Sequence, residues 1–274
     1  MARRGDEHYV HGTEPAEQQR LSLLNRLVND ESLRAIGLAG GERILDVGCG
    51  LGQFSRGLAE AAGPAGKVIA IDRSPEQLAE ARRAAAGGGP WLEFRRGDAL
   101  ELPLAAGEWG TFDLAHARFL LEHVTDAAGV VRSMVRAVRP GGRIVLEDDD
   151  HDLLRLDPEP PEVAAAWRAY LLSYERRGKD PFVGRRLPGL LHRAGARPRA
   201  IRSLPFGACV GQPEFDALVD NLAAILQGAR AEVVSLGLSD DAALDRALDS
   251  LRAWRSRPDV ALWYSRCWAE GTRP

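Results

Sequence analysis

The chain has 274 residues, 45% of them hydrophobic and 27% charged, which is the composition of a folded globular protein. Thirty-six basic residues stand against 39 acidic ones, so a broad phosphate-neutralising surface is excluded and no nucleic-acid partner is expected. The longest uncharged run is the eleven residues from Ser203 to Pro213, too short for a transmembrane helix, so no membrane partner is expected either. The segment MARRGDEHYVHG lacks the apolar stretch of a secretory signal. Cys49, Cys209 and Cys267 are odd in number and far apart, and read as reduced thiols of a cytoplasmic protein rather than a disulfide framework or a zinc site.

Leu21, Leu24, Leu27 and Val28 recur at helical spacing and predict a helix over 16–30. The apolar run 44–47 ends in glycines and predicts a buried strand followed by a tight turn. Residues 67–71 predict a second strand, and Ser74-Pro75 opens a helix with proline at its first position. Residues 91–96 and 112–115 predict a third and a fourth strand. Val130, Val131, Met134, Val135 and Val138 form a helical stripe that Pro140-Gly141-Gly142 stops, and residues 143–147 predict a fifth strand. Strands alternating with helices imply a parallel sheet with crossover helices, hence a doubly wound α/β fold. After Asp150 the rhythm changes: helices are expected over 160–177, 184–195, 213–235 and 240–254. Strands are expected over 200–204 and 260–268, paired as an antiparallel sheet edge with the helices between them forming a cap.

The strongest chemical signal is Ile44-Leu-Asp-Val-Gly-Cys-Gly-Leu-Gly-Gln-Phe54. Gly48, Gly50 and Gly52 lie between a strand and a helix, where a side-chain-free backbone can approach a ligand closely. Asp72 ends the second strand, 24 residues after Gly48, and a carboxylate there can accept from both hydroxyls of a ribose. A dinucleotide fingerprint would need glycine at position 53; Gln53 stands there instead and hinders pyrophosphate. Asp46, just before the turn, suits an ammonium better than a phosphate. The ligand expected is a nucleoside carrying a cation.

With these residues the chain resembles the class I S-adenosylmethionine-dependent methyltransferases. Four blocks carry the resemblance: LDVGCGLGQF (45–54), VIAIDRSPEQL (68–78), RRGDALELPL (95–104) and FDLAHARFLLEHV (112–124). A fifth, VRPGGRIVLEDDD (138–150), comes after them in order, and FVGRRLPGLLHRAGA (182–196) looks like the family's cap region. The resemblance implies a Rossmann-like sheet and a single domain, with 1–40 as an N-terminal lid, 41–150 as the cofactor-binding core and 151–274 as cap helices and closing strands. It implies S-adenosyl-L-methionine as cofactor. Gly48, Gly50 and Gly52 would line its methionine part, and Asp46 would hold its amino group. Asp72 would bind the ribose and Arg73 would flank the adenine. Asp98 would accept from the adenine amine, and Ala99 would donate its backbone N–H to a ring nitrogen. The backbone around His116 would pass the sulfonium, with Phe119 nearby. From the N-terminal segment, Arg20 would pair with the methionine carboxylate and Tyr9 would cover the sulfonium.

Methyl transfer from sulfonium is an in-line displacement in which the protein supplies alignment and, for a hydroxyl acceptor, a base. Two clusters lie where a base is expected, beyond the ends of the fourth and fifth strands: His116, Arg118, Glu122 and His123, and Glu147-Asp-Asp-Asp-His151. His151 and His116 are the catalytic candidates. Asp149 or Asp150 would cap the segment after the fifth strand. No metal is expected, because consecutive strand residues point to opposite faces and would spread the carboxylates apart. The long cap suggests an enclosed site for a small-molecule acceptor; of its aromatics Trp167, Tyr170, Tyr174, Phe182, Phe206 and Phe215, those at helical spacing (167, 170 and 174) read as core, with one or two of the set left to line a pocket. Two other readings of the fold stand beside this one: a cofactor-fold protein without methyl transfer, of binding or pericyclase type, and a nicotinamide-dependent oxidoreductase, against which Gln53 and Asp46 speak. A nucleic-acid methyltransferase is disfavoured, since Ala115-His-Ala-Arg118 replaces the Asn/Asp-Pro-Pro-Tyr motif.

Overall fold

A computed structural model describes residues 28–86 and 89–274. Tyr9, Arg20 and most of the helix expected over 16–30 lie outside the described residues. In chain order, residues 28–36 are helical (α1), followed by β1 (Arg43–Val47), α2 (Gln53–Ala62), β2 (Lys67–Asp72), α3 (Pro75–Ala84) and β3 (Leu92–Arg96). Next come β4 (Phe112–Arg118), α4 (Ala127–Ala137), β5 (Val138–Asp149), a short β6 (Arg155–Asp157) and α5 (Pro161–Arg176). The chain closes with α6 (Leu187–Arg193), β7 (Arg197–Cys209), α7 (Phe215–Ser235), α8 (Asp241–Arg255) and β8 (Ala261–Thr272). No described helix is long and apolar enough to cross a membrane.

The described chain forms two compact units: a larger one of 28–154, Lys179–Phe206 and Trp263–Pro274, and a smaller one of Arg155–Gly178 and Gly207–Leu262. In the larger unit β1 to β5 pair in parallel in the order β3-β2-β1-β4-β5. β8 runs antiparallel beside β5, and β7 pairs with β8. This is the doubly wound, mostly parallel sheet with an antiparallel edge that the alternation implies. Both of its faces are buried, as parallel strands require. Leu45, Val47, Ile69, Ile71, Ile144 and Leu146 pack with Val130 and Met134 of α4 and Leu187 and Leu191 of α6. On the opposite face, Ile44, Val68 and Val145 pack with Ile36 of α1, Phe54 and Leu58 of α2, and Trp268. Strand order reverses between β1 and β4, and the carboxyl ends of strands at such a switch point are where open α/β sheets bind ligands.

Several boundaries differ from the expectation for physical reasons. Val138 ends the helical stripe but already belongs to β5, and it pairs with Phe112 across a register shift. Pro140-Gly141-Gly142 lies inside the strand because Arg273 clamps it: the Gly141 N–H donates to Arg273 O at 2.9 Å, and the Arg273 N–H to Gly142 O at 2.9 Å. The helix expected over 184–195 divides into a 3-10 turn, Val183–Arg186, and α6. β7 is exposed along most of its length and therefore shows only a short apolar stretch.

The smaller unit packs α5, α7 and α8 around Tyr170, Tyr174, Phe215 and Trp254. The Tyr170 and Tyr174 hydroxyls are 2.9 Å apart, and Trp254 Nε1 donates to Pro158 O at 2.7 Å. Tyr170 and Tyr174 are thus core residues, while Phe182 and Phe206 fall in the larger unit rather than among the cap helices.

At the ends of β4, β5 and β8 the core holds charge. Glu147 and Arg266 are fully buried and form an ion pair. Ser32 Oγ donates to Glu147 Oε1 at 3.0 Å, and Arg266 reaches Glu31 Oε2 at 2.8 Å. Removing one member of such a pair leaves the other charged and desolvated. Glu147→Ala is expected to destabilise the fold by about 3–5 kcal/mol, read as a lower midpoint in denaturant unfolding; an unchanged midpoint would contradict the packing described.

Candidate active site

The turn after β1 is set by backbone chemistry. Gly48, Gly50 and Gly52 have φ of 77°, 52° and 67°, the left-handed region that suits glycine. A Cβ on Gly52 would lie 2.6 Å from the Phe94 ring. The Gly48 and Cys49 N–H groups both donate to Ile71 O, at 2.8 and 3.0 Å. Asp72 accepts from Gly50 N–H on Oδ2 at 2.8 Å and from Ser74 N–H on Oδ1 at 2.9 Å. Burial raises the Asp72 carboxyl above its ordinary value, against these two hydrogen bonds and the charge of Arg73.

Asp46 lies beside His116 in the β1–β4 register. Its Oδ1 is 2.8 Å from His116 Nδ1, and its Oδ2 accepts from Ser55 Oγ at 2.5 Å. Both Asp46 oxygens are therefore engaged inside the protein. His116 is 1% exposed and its ring packs on Phe54 at 4.7 Å. The His116 imidazole is thus buried between strands, with Nδ1 held by Asp46 and Nε2 without a hydrogen-bond partner among the described residues. Arg73 is exposed at the end of β2. Asp98 and Ala99 follow β3, where Asp98 Oδ1 accepts from Leu100 N–H at 2.8 Å. Phe119, just past β4, is the one non-glycine residue with positive φ among the described residues, at 52°, and its N–H donates to Glu147 O at 3.0 Å.

Beyond the ends of β4 and β5 a second group converges. Glu122 sits in a 3-10 turn, Leu121–His123, and Asp148 anchors that turn by accepting from Leu120 and Leu121 N–H at 3.1 and 2.7 Å. His151 Nε2 is 2.7 Å from Glu122 Oε2, and His151 Nδ1 is 3.0 Å from the Tyr264 hydroxyl. Asp149 hydrogen-bonds the same hydroxyl. Asp150 caps the turn after it, accepting from Asp152 N–H, and is held by Arg185 through contacts of 2.5 and 2.7 Å.

The three consecutive aspartates thus face three different partners, as strand alternation implies. Asp149 and His151, two residues apart, nonetheless meet Glu122, and one ligand atom from each lies within 4.8 Å of the others. The expectation that alternation keeps these groups from a common point is corrected here, because Glu122 arrives from another loop. Burial lowers the His151 imidazole below its ordinary value, and burial with the Glu122 charge pushes Asp149 up to about 7.

A family model described as a methyltransferase domain matches residues 44–142, from β1 into β5. The chain is 30% identical over 178 residues to a demethylmenaquinone methyltransferase of Bacillus pumilus, covering 62% of this chain and 71% of that protein. The chain belongs to the class I S-adenosylmethionine-dependent methyltransferases. It is also 32% identical over 248 residues to an uncharacterised 37.1 kDa protein in transposon TN4556 of Streptomyces fradiae, covering 88% of this chain and 68% of that one. The [4+2]-cyclase SpnF shares the fold, with a TM-score of 0.54 at 19% identity, over 98% of this chain and 86% of its own.

In this methyltransferase, sequence reasoning missed Tyr264 and did not join Glu122 to His151. The tyrosine is 113 residues from His151, and only the antiparallel placement of β8 beside β5 brings them together. The raised Asp149 carboxyl gives a signed prediction. Unfolded, it ionises near 3.8; folded, it keeps its proton to about 7. The fold therefore loses stability from this group as pH rises between those values, and the loss stays level above them. Relative to wild type, Asp149→Asn is expected to gain stability steadily over that range in unfolding titrations run at stepped pH; a pH-independent difference would contradict it.

Proposed function

We propose that this methyltransferase moves the methyl group of S-adenosyl-L-methionine to a hydroxyl of a small-molecule acceptor. The carrying observation is the Glu122–His151–Tyr264 chain at the carboxyl ends of β4 and β5. A hydroxyl must lose a proton as it is methylated, and a buried imidazole oriented by a carboxylate is suited to take it. His151 is the proton sink in this reading. The relatives named for demethylmenaquinone support a small-molecule acceptor.

The residues present fit the cofactor. The left-handed glycines leave three positions of the turn without side chains, and the carboxylates Asp46 and Asp72 stand beside it, which favours a sulfonium nucleoside over a pyrophosphate. Gly48, Gly50 and Gly52 would line the methionine part. Asp72 would accept from the ribose with lone pairs beyond those used by Gly50 and Ser74. Arg73 would flank the adenine, with Asp98 and Ala99 reading its edge. Asp46 would act on the amino group through the network it shares with Ser55 and His116, whose backbone would pass the sulfonium. When bound, the cofactor supplies a methyl carbon already activated by positive sulfur. The protein aligns the acceptor, excludes water and receives the proton.

The test is transfer of labelled methyl to a panel of phenols, alcohols and amines, with and without a chelator. Methylated hydroxyl compounds and indifference to the chelator are expected. Transfer to amines alone would overturn the hydroxyl reading, and activity lost to chelator and restored by magnesium would overturn the metal-free one. Asp72→Asn keeps the side chain's size but loses its charge and an acceptor. It is expected to weaken binding of the demethylated cofactor by about 1.5–3 kcal/mol, roughly ten- to a hundredfold, with Tm lowered as well, because the Gly50 or the Ser74 N–H loses its acceptor. Unchanged affinity by calorimetry would remove Asp72 from the site.

A further inference from the structure

We infer that Tyr264 is the residue that meets the acceptor and takes its hydroxyl proton, with His151 and Glu122 forming the relay behind it. This rests on the hydroxyl-transfer reading above. The geometry points this way because of which groups are reachable. His151 and Glu122 are buried, 5% and 3% exposed, while Tyr264 is partly exposed at the start of β8. Each ring nitrogen of His151 has a partner: Nε2 lies 2.7 Å from Glu122 Oε2, and Nδ1 lies 3.0 Å from the Tyr264 hydroxyl. A proton from outside therefore reaches the imidazole through the tyrosine. The tyrosine ring is fixed on two sides. It stacks on His151 at 6.3 Å between centroids, and Phe206 packs against it edge-on at 5.0 Å.

The direction follows from donor and acceptor capacity. Ionised Glu122 only accepts, so Nε2 carries the imidazole proton and Nδ1 presents its lone pair to the Tyr264 O–H. Asp149 hydrogen-bonds the same oxygen.

In the transfer step the acceptor's proton passes to Tyr264 Oη as the tyrosine's own proton passes to His151 Nδ1. The acceptor oxygen bonds to the methyl carbon as the carbon–sulfur bond breaks, its electron pair returning to sulfur. The imidazolium so formed stays paired with Glu122, and the reverse hand-over to water restores the chain. Tyr264 is thus the catalytic residue, and His151 and Glu122 act through it.

The relay is tested first on the free enzyme, by nitrogen-15 NMR of the histidine rings, with the His151 signal assigned by its absence in His151→Gln. The expected result at pH 8 is a neutral ring protonated at Nε2. Tyr264→Phe should shift the Nδ1 resonance and leave Nε2 nearly in place, and Glu122→Gln should shift Nε2. A ring protonated at Nδ1, or an Nδ1 signal indifferent to Tyr264→Phe, overturns the relay. Should Tyr264→Phe fail to fold, the wild-type tautomer alone decides. The second arm uses whichever hydroxyl compound of the panel the wild type methylates. Tyr264→Phe should lower kcat by about 10²–10⁴ with KM for the cofactor unchanged, and a phenol already ionised at the assay pH should recover most of that loss. Full activity of Tyr264→Phe on hydroxyl acceptors overturns the role of Tyr264 while leaving hydroxyl transfer intact. Methylation of amines alone overturns hydroxyl transfer, and with it the role of Tyr264.

Discussion

The site hangs on one carboxylate. Asp72, at the end of β2, accepts from Gly50 and Ser74, and so ties the glycine turn of one βα unit to the first turn of the next. Ile71 O adds two more hydrogen bonds, from Gly48 and Cys49. These ties hold in place three closely spaced glycines, the residue that loses the most conformational freedom on ordering. The carboxylate is partly desolvated in return, and burial raises its pKa above the ordinary value. A nucleoside ribose placed against it would find an acceptor already oriented, so little ordering remains to be done on binding.

A second constraint is the concentration of charge at the ends of β4, β5 and β8. Arg118 reaches Asn29 at 2.7 Å and lies over the Phe54 ring at 4.1 Å, and burial lowers its pKa to about 10. Arg266 pairs with Glu147 and Glu31. Asp148 holds the turn that carries Glu122, and Glu122 holds His151. Each buried ion is costly on its own and tolerable only in company. The chain of partners therefore fixes the position of the imidazole by directed hydrogen bonds as well as by packing.

The core of the fold was legible because its signals are local. Strands β1 and β2 are short apolar runs bounded by glycine or by Ser-Pro, and a parallel sheet buried on both faces makes such runs continuous. The glycine turn and Asp72 stood out for the same reason, since their spacing reflects one βα unit. What escaped depends on register and on distance along the chain. Asp46 and His116 are 70 residues apart and meet only through the pairing of β1 with β4. From the sequence, each looked ready for a ligand; folded, they occupy one another. Strand alternation separated Asp148, Asp149 and Asp150 correctly, but Glu122 arrives from another loop and closes a cluster that alternation alone does not reveal. β7, exposed for most of its length, carries little apolar pattern to find.

The most direct measurement of the cofactor site is calorimetric titration of the protein with S-adenosylhomocysteine and, separately, with NAD. A site built as described predicts saturable binding of S-adenosylhomocysteine at one site per chain, with a Kd on the order of micromolar, about −8 kcal/mol, and no heat of binding with NAD. Tight binding of NAD with none of S-adenosylhomocysteine would contradict it.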